Sequence, residues 1–381
     1  MKAKASVSKE VIQVKYKIYI IIIILSGICV STDVDAKTYA WLVDLDGKAQ
    51  KFDVGVNSIT QSIDLKGYAN ISVSLQDVQQ SVVFDAGANL VLFINDYGRV
   101  GQWVGAYNMK DMSFRKKIAI ESRDPNLRLP RIVMPQGVNK FYIVWWDSVK
   151  EVNAKGGETY TTLDKTTLDK ISESTNFLLN IYQPLFASAN ANKLYSLNIR
   201  KNELKSYDST SLALLDTVSL ISFWDTPLFG KGIEYFSNDK ILFSENAKIN
   251  KNDPNNFKYF IYNMLTKELS SKINVAEVGY GIIPPDGTKL IIIESSNNKV
   301  NIYDVATRQK IKYLDFSGKY TDIRILSIAT ISPDSSKLYM QGENIQSGVT
   351  TLIVIDLKTT YSVLAEVPNV KGSRMIFYED Q

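Results

Sequence analysis

The 381-residue chain has no histidine. That absence excludes Ser-His-Asp and Cys-His catalysis, His-ligated zinc, copper or haem, and imidazole acid-base chemistry. Cysteine is nearly as scarce: Cys29 stands alone, so no disulfide can close within the chain. No Gly-rich loop opens a helical pattern; Gly98-Arg99-Val100-Gly101 lies between strand-like segments and does not read as a phosphate cradle. Charge of one sign is missing too. Against 44 Lys and Arg stand 40 Asp and Glu, a net of +4, with no basic stripe of the kind nucleic acid requires. Long stretches with a 3.6-residue apolar period are also absent. Any enzyme activity would rest on carboxylates, Tyr, Lys or an oxygen-ligated metal.

What is present begins with an export signal over residues 1–36. Lys2, Lys4, Lys9, Lys15 and Lys17 precede an apolar run over residues 18–30. At about 13 residues that run is shorter than the ~20 a membrane-spanning helix needs. Val34-Asp35-Ala36 then places a β-branched and a small side chain where a signal peptidase reads them, so the mature chain is expected to start at Lys37. Lipidation at Cys29 is the minority alternative, because the bulky Ile28 stands where Gly or Ala is usual. The mature part then carries no cysteine, a charge of about +2 and no transmembrane span.

The chain as a whole is 45% apolar and 11% aromatic, enough for a sizeable core in residues 37–381. Short segments rich in Ile, Val, Tyr and Leu recur between Gly, Asn, Asp and Pro clusters. A corner followed by a strand repeats as Pro285-Asp286-Gly287 before Lys289-Leu290-Ile291, Ser332-Pro333-Asp334 before Lys337-Leu338-Tyr339, and Asn190-Ala191-Asn192 before Lys193-Leu194-Tyr195. A strand ending in Asp or Asn repeats as Val43-Asp44, Tyr107-Asn108, Leu163-Asp164, Tyr207-Asp208, Tyr262-Asn263, Tyr303-Asp304 and Ile355-Asp356. Seven copies about 41 to 64 residues apart match the length of a four-stranded propeller blade. The acidic or amide side chain reads as a turn-former that bonds its own backbone. The expected fold is all-β: a seven-bladed β-propeller of four-stranded antiparallel blades, closed by pairing the N-terminal hairpin with a strand after Gly372.

These repeats resemble the YVTN-type propeller repeat, in which a Pro-Asp-Gly-like corner precedes one strand and a Tyr-Asp pair ends the next. Residues 276–340 match best, residues 38–130 loosely, and the segment between Val56 and Val78 has no assigned place. The resemblance implies a cell-surface or periplasmic propeller. It implies no particular activity.

In such a ring, uneven loops and the connections between blades open on one face. The uneven loops are residues 95–103, 149–158, 245–257 and 341–348; the connections include 121–131, 222–229, 276–281 and 317–324. From these, Trp224, Asp225, Arg128, Arg131, Tyr280, Tyr320, Asp322 and Arg324 are the candidate binding residues around the channel mouth. Trp145-Trp146 reads as packing between blades, and residues 250–256 as a polar loop without the alternating carboxylates of a calcium site. The expected function is a non-enzymatic envelope protein that needs no cofactor and binds a protein, peptide or glycan. Two alternatives stay open: a calcium-dependent hydrolase or lactonase in the central channel, and the propeller subunit of a periplasmic dehydrogenase whose redox group sits on a partner.

Overall fold

Alternating β-branched, aromatic and polar residues over six to eight positions favour extended backbone with one face or both buried. The structure, a computed structural model, describes residues 37–44, 47–65, 82–95, 103–120, 131–147, 157–175, 185–188, 192–198, 201–220, 231–237, 239–246, 257–270, 272–277, 279–325, 331–370, 372 and 374–380. The chain divides into a unit of Met1–Lys37 with Gln381 and a unit of Thr38–Asp380. Among the described residues there is no helix, and none long and apolar enough to cross a membrane.

The strands form seven antiparallel blades. Blade 1 is β29 (Arg374–Asp380), β1 (Lys37–Val43), β2 (Lys48–Asp53) and β3 (Ser58–Asp64). Blade 2 is β4 (Val82–Asp85), β5 (Leu90–Asn95), β6 (Trp103–Asn108) and β7 (Phe114–Ala119). Blade 3 is β8 (Arg131–Val133), β9 (Lys140–Asp147), β10 (Gly157–Asp164) and β11 (Lys170–Thr175). Blade 4 is β12 (Leu185–Ala187), β13 (Lys193–Asn198), β14 (Glu203–Asp208) and β15 (Leu214–Ser219). Blade 5 is β16 (Lys231–Ser237), β17 (Lys240–Asn246) and β18 (Phe257–Asn263), with an outer strand in two pieces, β19 (Glu268–Leu269) and β20 (Ile273–Val275). Blade 6 is β21 (Tyr280–Ile282), β22 (Lys289–Glu294), β23 (Lys299–Asp304) and β24 (Lys310–Asp315). Blade 7 is β25 (Tyr320–Ile325), β26 (Lys337–Asn344), β27 (Thr350–Asp356) and β28 (Val363–Pro368). The first-named strands of neighbouring blades touch, β4 with β8, β8 with β12 and β16 with β21, and so surround the axis.

The ring closes as expected, with the C-terminal strand β29 as the innermost member of blade 1 beside β1. The unassigned segment after Val56 is resolved in part: β3 is the outer strand of that blade. One expected repeat is out of register. In blades 2 to 7 the Asp or Asn ends the third strand, so the equivalent in blade 1 is Phe52-Asp53, whereas Val43-Asp44 ends the second strand at the Gly47 turn. Both sites combine an apolar residue, an acid and a glycine shortly after, which is why the sequence pattern did not separate them.

After these residues the chain turns in related ways, except that the Asn108 amide in blade 2 donates to Ser113 Oγ and the turn after Asp356 is one residue longer. The side-chain oxygen accepts the N–H two residues on at Asp53 (2.9 Å), Asp164 (2.8 Å), Asp208 (3.0 Å) and Asn263 (3.0 Å), and the N–H three residues on at Asp304 (2.7 Å). Asp356 reaches Lys358, Thr359 and Thr360. The turn ends on a left-handed residue that is never glycine: Asn57, Met112, Leu168, Leu212, Lys267, Arg308 and Tyr361. Such a conformation costs an L-residue about 1–2 kcal/mol; the repeated turn hydrogen bonds offset it.

The turns make the fold acid-sensitive in a predictable direction. The N–H and hydroxyl of Ser211 hold the Asp208 carboxyl below the usual range, and those of Thr307 do the same at Asp304. At Asp356 burial pushes upward but is outweighed by Thr359, Thr360 and Lys358. A depressed folded pKa contributes stability that is present above the ordinary aspartate value of about 3.9 and is lost as pH falls through the lower folded values. The urea midpoint is therefore expected to fall steeply below about pH 4. In Asp304→Asn that fall should be shallower while the turn persists, as Asn263 already serves in blade 5. Equal pH profiles for the two proteins would rule the assignment out.

Apolar packing follows the seams between blades. Trp41, Val43, Val91, Phe93 and Tyr107 fill the seam of blades 1 and 2, and Ala40, Leu42, Phe52, Tyr339, Leu352 and Met375 that of blades 7 and 1. Aromatic side chains latch adjacent blades through the same turns: Trp41 Nε1 donates to the Met109 carbonyl at 2.8 Å, and the Tyr142 hydroxyl donates to the Ser209 carbonyl.

Candidate functional site

The two faces of the ring differ in kind. One carries the corners before the second strands and the turns after the third strands, which are related in geometry. The other carries the loops between second and third strands and the connections between blades. There the gaps range from Glu294 to Lys299 in blade 6 up to Asn246 to Phe257 in blade 5, as the strand limits show. The candidate residues belong to this second face.

Trp224, Asp225 and Arg128 lie outside the described residues. The backbone places Arg131 first in β8, Tyr280 first in β21, and Asp322 and Arg324 within β25. All four are therefore on innermost strands, in blades 3, 6 and 7. Trp145 and Trp146 are in β9, opposite Thr159 and Glu158. Residues 250–256 lie outside the described residues.

Tyr280 and Tyr320 each begin an innermost strand, at different registers and with opposite surroundings: Tyr280 pairs with Ile293, whose counterpart in blade 7 is Gln341 opposite Arg324, whereas Tyr320 pairs with Asn344. Tyr280 is 55% exposed. A Cβ on Gly279 would lie 2.5 Å from the Ile293 carbonyl oxygen, and one on Gly281 would lie 2.7 Å from the Tyr259 ring. Both glycines are needed for the strand to press against its neighbours with Tyr280 held outward. Tyr320 is 1% exposed, its ring filling the space over Gly342, where a Cβ would come within 2.7 Å. Burial, with the Glu366 carboxylate nearby, pushes its hydroxyl pKa up. Tyr320 is therefore a packing residue in this structure. The signal in the sequence was Gly342, since an isolated glycine in a strand marks a close approach.

On the connection between blades 5 and 6, Glu277 is already engaged. It accepts the Tyr303 hydroxyl and pairs with Lys310. Burial raises its pKa, but these two partners outweigh burial and hold the carboxyl below its ordinary value. Among the described residues, no three of the acidic, Cys or His side chains come together as a metal group.

No protein-family model and no curated protein matches the chain. Solved structures do. A dihydro-heme d1 dehydrogenase, NirN, is 12% identical with a TM-score of 0.50, covering 89% of this chain and 74% of its own. AztD of Citrobacter koseri is 11% identical with a TM-score of 0.49, covering 91% and 99%. The hydrazine synthase of Kuenenia stuttgartiensis is 10% identical with a TM-score of 0.49, covering 84% and 95%. At such identities the likeness extends to the propeller fold alone.

Proposed function

We propose that the chain is an exported, non-enzymatic propeller of the YVTN-repeat kind that binds a protein, peptide or glycan of the cell envelope through its loop-rich face. The observation that carries this reading is the contrast between faces: related short turns on one side, and on the other unequal gaps between second and third strands together with an exposed Tyr280. A rigidly mounted aromatic side chain at a channel mouth is the type of anchor that dominates recognition. The absence of histidine from the whole sequence supports binding over catalysis. Export rests on the N-terminal lysines, the apolar run and Ala36.

Peptide and glycan arrays probed with the protein recovered from the envelope or medium test this, with intact mass reporting whether it starts at Lys37. Tyr280→Ala and Trp224→Ala are expected to lower array binding about tenfold or more, on the scale of one anchor residue, with unchanged melting curves. Undiminished binding in both variants would sink the assignment of this face.

A further inference from the structure

The seam between blades 5 and 6 contains an electrostatic imbalance. Ile292 and Glu294 share one face of β22, and Asn301 of β23 lies opposite Ile292 on that same face. Gly281, also paired with Ile292, abuts Tyr259 and Leu242 of blade 5, so this face looks across the seam. Glu294 is 6% exposed and Asn301 fully buried. The Glu294 carboxylate receives only neutral donors, the Asn301 amide at 2.6 Å and the Asn297 amide at 2.9 Å. Lys299 stands directly opposite in register, but its ammonium lies 5.6 Å from the Tyr313 ring centre and interacts with that side chain first. The Asn301 carbonyl oxygen, also buried, has no donor.

Both defects have the same sign. A buried negative charge is hydrogen-bonded only by neutral donors, with Lys299 engaging Tyr313 and Asp315 first and attracting it only from a distance, and a buried acceptor beside it lacks a hydrogen. One cation corrects both. Turning the two carboxamides end for end exchanges groups of nearly equal size. It sets the Asn301 and Asn297 oxygens alongside both oxygens of Glu294. Asn297 is exposed, which leaves room for water to complete the shell. We propose that Glu294, Asn297 and Asn301 form a cation site that ties the 294–299 turn to the body of blade 6. An all-oxygen donor set of this kind suits a hard ion of the calcium class. The 294–299 turn lies on the same face as Tyr280, and Glu294 directly follows Ile293, the register partner of Tyr280; the site is on the second and third strands of blade 6, not on the innermost strand that borders the channel.

Thermal melting of the purified, chelator-treated full chain, with and without calcium chloride, tests the proposal. Tyrosine-sensitised terbium emission reads binding directly. The wild-type melting temperature is expected to rise with calcium, and Glu294→Gln is expected to abolish both the rise and the emission. Because Glu294→Gln alone can disturb packing, Asn301→Asp is the decisive variant. With a cation between them, a second carboxylate tightens calcium binding about tenfold, since ligand charge tunes affinity. Without a cation, two adjacent buried carboxylates repel, and the variant melts lower in calcium and chelator alike. That second result, or a wild-type curve indifferent to calcium, overturns the site.

Discussion

Lys165→Met is expected to destabilise the propeller by about 3–5 kcal/mol, the cost of leaving one member of a buried ion pair alone. Lys165 directly follows the turn-forming Asp164, and the same place is held by Val54, Met109, Ser209, Met264, Val305 and Leu357 in the other blades. In every blade the N–H at this place bonds the carbonyl just before the second strand or at its start, from Thr38 in blade 1 to Ser336 in blade 7. The residue therefore plugs the ring between blades, and a methionine has the right length and character for it. Lys165 is 2% exposed, and its ammonium contacts the Asp85 carboxylate of blade 2 and the Pro135 carbonyl. Methionine fills the space but strands the charge of Asp85, itself 5% exposed. Adding Asp85→Asn removes that charge and keeps an acceptor for the Ala88 N–H, which Asp85 holds at 3.1 Å. The double variant should recover part of the loss, with a coupling of about 1–3 kcal/mol in a urea-melt cycle. If the two changes simply add, the pair is not coupled and this account is wrong.

Truncation before Gly372 is expected to be more severe. Met375, Ile376, Phe377 and Tyr378 of β29 are each 6% exposed or less, and they pack into the seams on both sides of blade 1. The Tyr378 ring stacks on Tyr39 at 5.8 Å, and its hydroxyl donates to the Lys110 carbonyl of blade 2 at 3.3 Å. Each such side chain contributes about 1.5–3 kcal/mol by burial. Together they approach the ~5–15 kcal/mol that separates a native domain from its unfolded chain. The shortened chain should lose its cooperative transition in calorimetry. A melt resembling that of the intact protein would refute closure by β29.

Much of this fold was readable because its repeated turn demands a particular side chain. Asp or Asn accepts neighbouring N–H groups at Asp164, Asp208, Asn263, Asp304 and Asp356, so the blades announce themselves there, while Asn108 of blade 2 fills the same place by donating to Ser113 Oγ. What could not be read is what depends on contacts between blades. Nothing around Lys165 in the sequence indicates Asp85, 80 positions away, and its neighbours in the pattern are mostly apolar. Tyr280 and Tyr320 both open an innermost strand, and their different registers, together with Gly342 beneath Tyr320, separate the exposed ring from the buried one. The left-handed Leu168 and Arg308 carry no signal either, because the turn imposes their backbone in the absence of glycine.

The position of β29 has a consequence for the order of events in the molecule's assembly. Blade 1 draws one strand from the last residues of the chain and three from the first, so an arc of six finished blades precedes the seventh. Until the tail arrives, β1 presents a bare hydrogen-bonding edge and the arc has two sticky ends. Joining them is the most distant contact in the sequence and belongs to the slow class of folding steps. A chain cut short anywhere along its length therefore yields an open strip, with its ends free to pair with those of another.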